Sequence, residues 1–313
     1  MPGVVCVGSA TLDTVALVDA YPGPDERVLA RQLVRAGGGN AATAAVAIAR
    51  LGLAVSFVGT VGADDEGDQV RDGLAAEGVD VAGLRPDARV ATGASVIVCA
   101  SATRAICTRP VPPLRLGAEA KDLVRQASWV HVDYLGWPVV QDLVADLPPA
   151  ERPRLSVDDG NPAPAGRPDE ADLYAPSATR LRARYGDLPA EKALRRCGAG
   201  EAVVTFGADG SLGRDAAGAL VRVPGHRIEV TSTLGAGDVF HGALVAARAR
   251  GLPLPEAMTY ANAAAALACR SLDGRSAIPG ETELRDFLRA AGTAGRPRTQ
   301  TAPTGTHDAG SIA

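Results

Sequence analysis

Short apolar runs alternate with stretches of helical periodicity along most of the chain. The runs fall at residues 4–7, 55–58, 95–99, 129–132, 155–157 and 202–206. Apolar positions at helical spacing predict helices over 41–50, 66–77, 117–126, 138–145, 237–250, 255–270 and 282–290. Continuous apolar strands separated by helices argue for an α/β domain whose mostly parallel central sheet is covered on both faces. Two segments, about 14–36 and 93–109, lack helical periodicity and read as short strands with turns. The domain so outlined spans 1–290. From 291 to 313 the sequence is mainly Gly, Thr, Pro and Ala without an aromatic residue, which predicts a disordered tail.

With 313 residues, 46% of them hydrophobic, the chain has material for a large core. A net charge of −4 over interspersed acidic and basic residues favours neither nucleic acid nor an anionic membrane as partner. Apolar stretches are broken by Arg or Gly within about a dozen residues, too short to span a bilayer. No basic region precedes the apolar start, so no secretion signal is read there. Cys6, Cys99, Cys107, Cys197 and Cys269 stand apart without Cys-x-x-Cys spacing, and read as buried thiols of a cytoplasmic protein. Lysine occurs only as Lys121 and Lys192, both away from glycine loops, which excludes a Walker A loop and the strand lysine of protein kinases. A dinucleotide fingerprint is missing as well, because residues 4–13 hold one glycine, Gly8, where three are needed.

The candidate chemistry lies in two glycine segments. In Thr231-Ser232-Thr233-Leu234-Gly235-Ala236-Gly237-Asp238, small residues stop at an aspartate and a helical apolar stripe begins directly behind it. Such a junction leaves unpaired backbone N–H groups at a helix start, where the dipole also favours negative charge. Gly235 and Gly237 carry no Cβ, so an anion can approach the backbone closely. An anion cradle with a carboxylate at its lip suits phosphoryl transfer. Taken alone, the segment reads equally as a glycine turn with Asp238 as a helix cap. The second segment, Gly37-Gly38-Gly39-Asn40-Ala41-Ala42, opens a helix so rich in alanine that it can lie very close to a strand or ligand. Asn40 puts an amide donor and acceptor at that helix start, the chemistry that suits sugar hydroxyls.

In this order and spacing, the two segments resemble the signature regions of the ribokinase-like (PfkB) carbohydrate kinases. The resemblance runs from about Val4 to Leu288. Gly8 to Asp13 looks like the first strand with its substrate aspartate, and Val203 to Ser211 like the nucleotide-side strand and turn. Residues 261–266 look like the helix beside adenine, and Ser276 to Pro279 like the closing turn. The resemblance implies a three-layer α/β sandwich with a small β-sheet lid from 14–36 and 93–109, a lid often used to pair two subunits. It implies transfer of the ATP γ-phosphoryl group, with Mg²⁺, to a primary hydroxyl of a sugar-like acceptor. Asp238 would be the base, and Gly235, Ala236 and Gly237 the anion hole. Asp13, Gly38, Gly39 and Asn40 would hold the acceptor. Ser177, Thr205, Gly207, Gly210, Asn262 and Ala265 would line the nucleotide side.

Local motifs in 233–238 and 39–41 look closest to ketohexokinase and sulfofructose kinase, which favours a ketose. A nucleoside acceptor is the second option, weakened by 4% aromatic content. Arg104, on a predicted lid strand with Arg109, would suit an acceptor that carries a negative group. The chain departs from the family in two places. Ser232-Thr233 stands where Asp-Thr is usual, which puts potassium activation in doubt. Ser177-Ala178-Thr179-Arg180 replaces the Asn-x-x-Glu that organises Mg²⁺. Arg180 would then face phosphate or solvent, Asp158 and Asp159 would supply outer oxygens to Mg²⁺, and no residue is assigned as a direct metal ligand. Trp137 is a candidate for stacking on a sugar face, and His131 and His241 are given no catalytic part. The two losses also leave open a degenerate member that binds nucleotide or sugar without transfer.

Overall fold

The computed structural model describes residues 3–100, 103–161, 166–291 and 298–300. Its first half runs β1 (Val4–Val7), β2 (Thr11–Val18), β3 (Gln32–Gly38), α1 (Asn40–Arg50), β4 (Val55–Gly62), α2 (Asp65–Ala76), β5 (Leu84–Asp87), β6 (Ala94–Ala100) and β7 (Thr103–Arg109). There follow α3 (Ala118–Gln126), β8 (Trp129–Val132), α4 (Gly136–Ala145), β9 (Arg154–Asp159), β10 (Leu173–Pro176), α5 (Ala178–Tyr185), α6 (Ala190–Arg196) and β11 (Glu201–Thr205). The last elements are β12 (Ser211–Arg214), β13 (Leu220–Val223), α7 (Ala236–Ala249), α8 (Leu254–Ala268), α9 (Glu281–Ala291) and β14 (Arg298–Gln300).

The large sheet has the order β14-β13-β12-β11-β10-β9-β8-β1-β4-β5. From β11 to β5 all neighbours are parallel, and β12, β13 and β14 add an antiparallel edge. Successive side chains of a strand point to opposite faces. Accordingly Val4 and Cys6 pack with α1, α7 and α8, whereas Val5 and Val7 pack with α3, α4, α5 and α6. The result is the three-layer sandwich with a mostly parallel centre. Small residues set the helix spacing on the first face. A Cβ at Gly242 of α7 would fall 2.5 Å from the Ala44 carbonyl of α1, so glycine and the buried alanines let these two helices touch. That contact brings their N-termini, and with them Asn40 and Asp238, to one place.

A second sheet, β3-β2-β6-β7, pairs β2 with β6 in parallel and is otherwise antiparallel. Val15, Ile97 and Cys99 point inward and pack on Leu272. Leu33 and Val96, on positions of the opposite parity, are 67% and 56% exposed. Of the tail predicted to be disordered, 292–297 and 301–313 lie outside the described residues; Ala291 ends α9, and 298–300 pair with β13.

Candidate active site

A buried carboxylate organises the start of α1. Asp133 Oδ2 accepts from the Ser9 N–H (2.7 Å), the Ser9 hydroxyl (2.6 Å) and the Ala41 N–H (3.3 Å). Its Oδ1 accepts from the N–H groups of Leu135 (2.9 Å) and Gly136 (3.1 Å). Ser9 Oγ in turn accepts from the Asn40 N–H at 2.9 Å. Gly39 precedes the helix at φ 91°, with the Ser9 carbonyl 2.5 Å from where a Cβ would sit, so only glycine fits.

Gly235 begins α7 in the left-handed conformation, φ 72°, with the backbone of Gly274 packed against it. Asp238 follows in the first turn. Asn40 Nδ2 donates to Asp238 Oδ1 at 2.8 Å, and Asn161 Nδ2 donates to Asn40 Oδ1 at 3.2 Å. Burial, then the Asp158 carboxylate, push the Asp238 pKa up to about 7, against the opposing pull of His241 and Asn40. A carboxylate poised near neutrality suits proton abstraction. A Cβ at Gly237 would meet no described atom within 4 Å, which leaves open room beside the first N–H groups of the helix.

A cavity of about 750 Å³ lies between lid and body, and Asp13, Asn40, Arg104, Asp158, Asp238 and His241 all face it. Asp13 Oδ1 accepts from the Ser95 N–H at 3.0 Å, and burial raises its pKa. Gly38 joins Asp13 and Asp238 in a smaller recess alongside. Arg104 Nη1 donates to Thr233 Oγ1 at 3.0 Å, tying lid strand β7 to the loop before Gly235. Arg275, which no sequence motif singles out, donates to the Gly38 carbonyl (2.6 Å) and Thr43 Oγ1 (3.2 Å). Burial lowers its pKa to about 10, while Asp13 and Asp238 act to keep it charged.

Past Thr205, Thr233 and Gly237 the cavity leads into a mainly apolar one of about 190 Å³, faced by Gly207, Val230, Phe240, Asn262 and Ala265. Asn262 Nδ2 donates to the carbonyls of Val223 and Pro224, so this amide holds the end of β13 against α8. Gly210, at φ 89°, has the Val223 carbonyl 2.1 Å from a would-be Cβ and is required by the turn itself. Ser177 caps α5 by accepting from the Arg180 N–H at 3.3 Å and also faces the larger cavity.

The family model for pfkB family carbohydrate kinases matches residues 1–147 and 167–280. The chain belongs to this family. It is 29% identical over 300 residues to the ribokinase of Bacillus subtilis, covering 92% of this chain and 100% of that one. It is 28% identical over 316 residues to the aminoimidazole riboside kinase of Salmonella typhimurium, covering 92% and 95%. Among solved structures, the ribokinase of Thermotoga maritima superposes with TM-score 0.79 at 24% identity, covering 92% of this chain and 100% of that one. The Arabidopsis thaliana ribokinase complexed with ribose and ATP gives 0.77 at 23%, covering 92% and 99%. The chain is thus an ATP-dependent sugar kinase with Mg²⁺ as companion ion. The apolar cavity suits an adenine ring and the open helix start at Gly237 suits phosphate, so the residues present fit the nucleotide. A Mg²⁺ ion arriving with the nucleotide would be held mainly by phosphate and water.

This pfkB kinase differs from several expectations at single residues. Arg180 Nη2 donates to Asp159 Oδ1 at 3.3 Å, while its side chain keeps one-fifth of its surface exposed. Asp159 is fully buried between Arg180, Arg184 and the Tyr174 hydroxyl, so of the two aspartates only Asp158 faces the cavity. An arginine at 180 therefore answers a buried carboxylate adjacent in the chain to Asp158. Trp137 is fully buried against Tyr174 with Arg184 over its ring, which leaves no face for a sugar. Arg109 bonds Glu66 and the Thr92 carbonyl instead of the cavity. His241, to which the sequence assigns no catalytic part, faces the cavity with Nδ1 3.1 Å from Asp158 Oδ2. Its position three residues after Asp238, on the same helix face, was the available signal.

Proposed function

We propose that this kinase phosphorylates the primary hydroxyl of a ribose-like sugar. The observation that carries the reading is Asp238 at an open, left-handed glycine helix start, bonded to Asn40 at the edge of a cavity that Asp13 shares. Asp238 accepts the hydroxyl proton as the oxygen bonds to the γ-phosphorus and the bond to the leaving ADP oxygen breaks. The N–H groups at 235–237 stabilise the charge on the transferring group; one such donor is worth about 3–4 kcal/mol of barrier. Asp13 and Asn40 hold neighbouring hydroxyls, and the Arg275 charge offsets the negative charge of Asp13 and Asp238. Relatives named as ribokinases and a riboside kinase support a furanose acceptor. The ketose favoured by the local motifs at 233–238 and 39–41 is the second reading. A thermal-shift panel of ribose, nucleosides and ketoses with MgATP tests it, because a specific ligand stabilises by mass action. Ribose is expected to give the largest shift; a shift with ketoses alone overturns the furanose choice.

The base also sets the pH profile. Asp238 must be ionised to act, and its pKa stands at about 7. With Mg²⁺ as the sole divalent ion, kcat/KM is expected to rise tenfold per pH unit below about 7 and to level above it. A profile flat from pH 5.5 to 8 removes Asp238 as the titrating base.

We further propose a homodimer through the lid, whose outer face carries exposed Leu33 and Val96 beside Ala16 and Val98. Sedimentation is expected to show a dimer for the native chain and a monomer for Val96→Glu. The five cysteines are free, and no helix among the described residues is long and apolar enough to cross a membrane. We place the kinase in the cytoplasm, where MgATP is abundant.

A further inference from the structure

Asp158, His241 and Asp238 share an arrangement that phosphoryl transfer does not require. Each has one polar atom fastened by a neighbour, and the three side chains come together. Asp158 Oδ1 accepts from the Gly160 N–H at 2.6 Å. Asp238 Oδ1 accepts from the Asn40 amide at 2.8 Å. His241 Nε2 lies 2.9 Å from the Ala175 carbonyl, so this nitrogen carries a proton and donates it. One ligand atom from each of the three lies within 4.8 Å of the others. Fastening of the outer atom is how metal-binding histidines and carboxylates keep tautomer and aim.

The inward nitrogen of His241 supplies a second observation, since its polar neighbour is Asp158, a member of the same cluster. His241 is 6% exposed, and its Nδ1 makes no hydrogen bond among the described residues. It lies 3.1 Å from Asp158 Oδ2, the distance of an ion pair when the ring is protonated. Two ligands about 2.1 Å from one ion and at right angles to each other are about 3.0 Å apart. The separation is that of a coordination edge.

We propose that Asp158, His241 and Asp238 bind a divalent transition-metal ion directly, in the absence of nucleotide. One imidazole with two carboxylates suits Mn²⁺, Co²⁺ or Zn²⁺, whereas Mg²⁺ keeps its waters and follows the phosphates. All three side chains face the large cavity, which gives the ion an entry path and leaves its other positions toward the ligands there. The rival occupant is a proton on Nδ1, drawn by the same two carboxylates. The nearby His131 ring, 5.9 Å away, does not compete, since burial holds it neutral with a pKa of about 3. An ion at this point takes an oxygen of the Asp238 base and so slows transfer to the acceptor. The site goes beyond the kinase reading and stands or falls without turnover.

Mn²⁺ added to the nucleotide-free protein, followed by loss of the free-ion paramagnetic signal, tests it. One ion per chain is expected to bind in excess Mg²⁺, and His241→Asn and Asp158→Asn are each expected to weaken binding at least about tenfold. A direct readout needs no variant: Zn²⁺ should move the ¹⁵N resonance of His241 Nδ1 while Nε2 keeps its proton. No saturable Mn²⁺ binding, equal binding in both folded variants, or an unmoved Nδ1 resonance overturns the site and leaves a protonated histidine.

Discussion

Asp238→Asn is expected to lower kcat by about 10²- to 10⁴-fold while nucleotide and acceptor still bind. The amide keeps the shape and retains an oxygen for the Asn40 donor at 2.8 Å, but it cannot take a proton. Rate and affinity therefore separate: calorimetry with ATP should stay within a few-fold of the native value as turnover collapses. Near-native kcat in this variant removes the base from the mechanism. Stability moves the other way. The folded pKa of about 7 lies above the usual carboxylate value, so the folded state holds its proton more tightly than the unfolded one. The stability this represents is complete at acidic pH and is lost as pH rises through about 7. Asparagine carries no such penalty, so the variant should melt above the native enzyme, most clearly at pH 8. A site kept reactive at the expense of stability behaves in this way.

Asp133→Ala is expected to cost on the order of 4 kcal/mol in unfolding free energy and to abolish measurable activity. Five donors converge on this one buried carboxylate: two from Ser9, and the N–H groups of Ala41, Leu135 and Gly136. Alanine strands them without water. The damage reaches the site because Ser9 Oγ also receives the Asn40 N–H, and Asn40 in turn holds Asp238. Chemical denaturation gives the stability loss, and a change below about 1 kcal/mol would mean that the donors find other partners. Asp133 lies far from both glycine segments in sequence, and nothing in its own segment distinguishes it from a turn aspartate.

The central strands β1, β4, β8, β9 and β11 and the helices α1, α2, α7 and α8 follow from apolar periodicity, because each buries a continuous face. The short elements did not emerge. β10, four residues that end in proline, is held by its pairing with β9 and β11, and the arginine-rich α5 has few apolar positions to show a period but finds a buried partner in Asp159. The glycines at 39 and 235 were legible as helix openings, since lack of a Cβ is a local property.

The sequence by itself determined the sheet with its two helical coats, the glycine turn at 235–237 and the carboxylate that follows it. These depend on neighbours in the chain: spacing of apolar residues, missing side chains and a helix start. Only the tertiary structure decided that Asn40 holds Asp238, that Arg275 stands behind both site carboxylates, that Trp137 and Asp159 are sealed away, and that His241 meets Asp158. Each of those depends on residues from about fifteen to two hundred and forty positions apart. Electrostatic and hydrogen-bonding partners are chosen by distance in space, which periodicity along a chain does not encode.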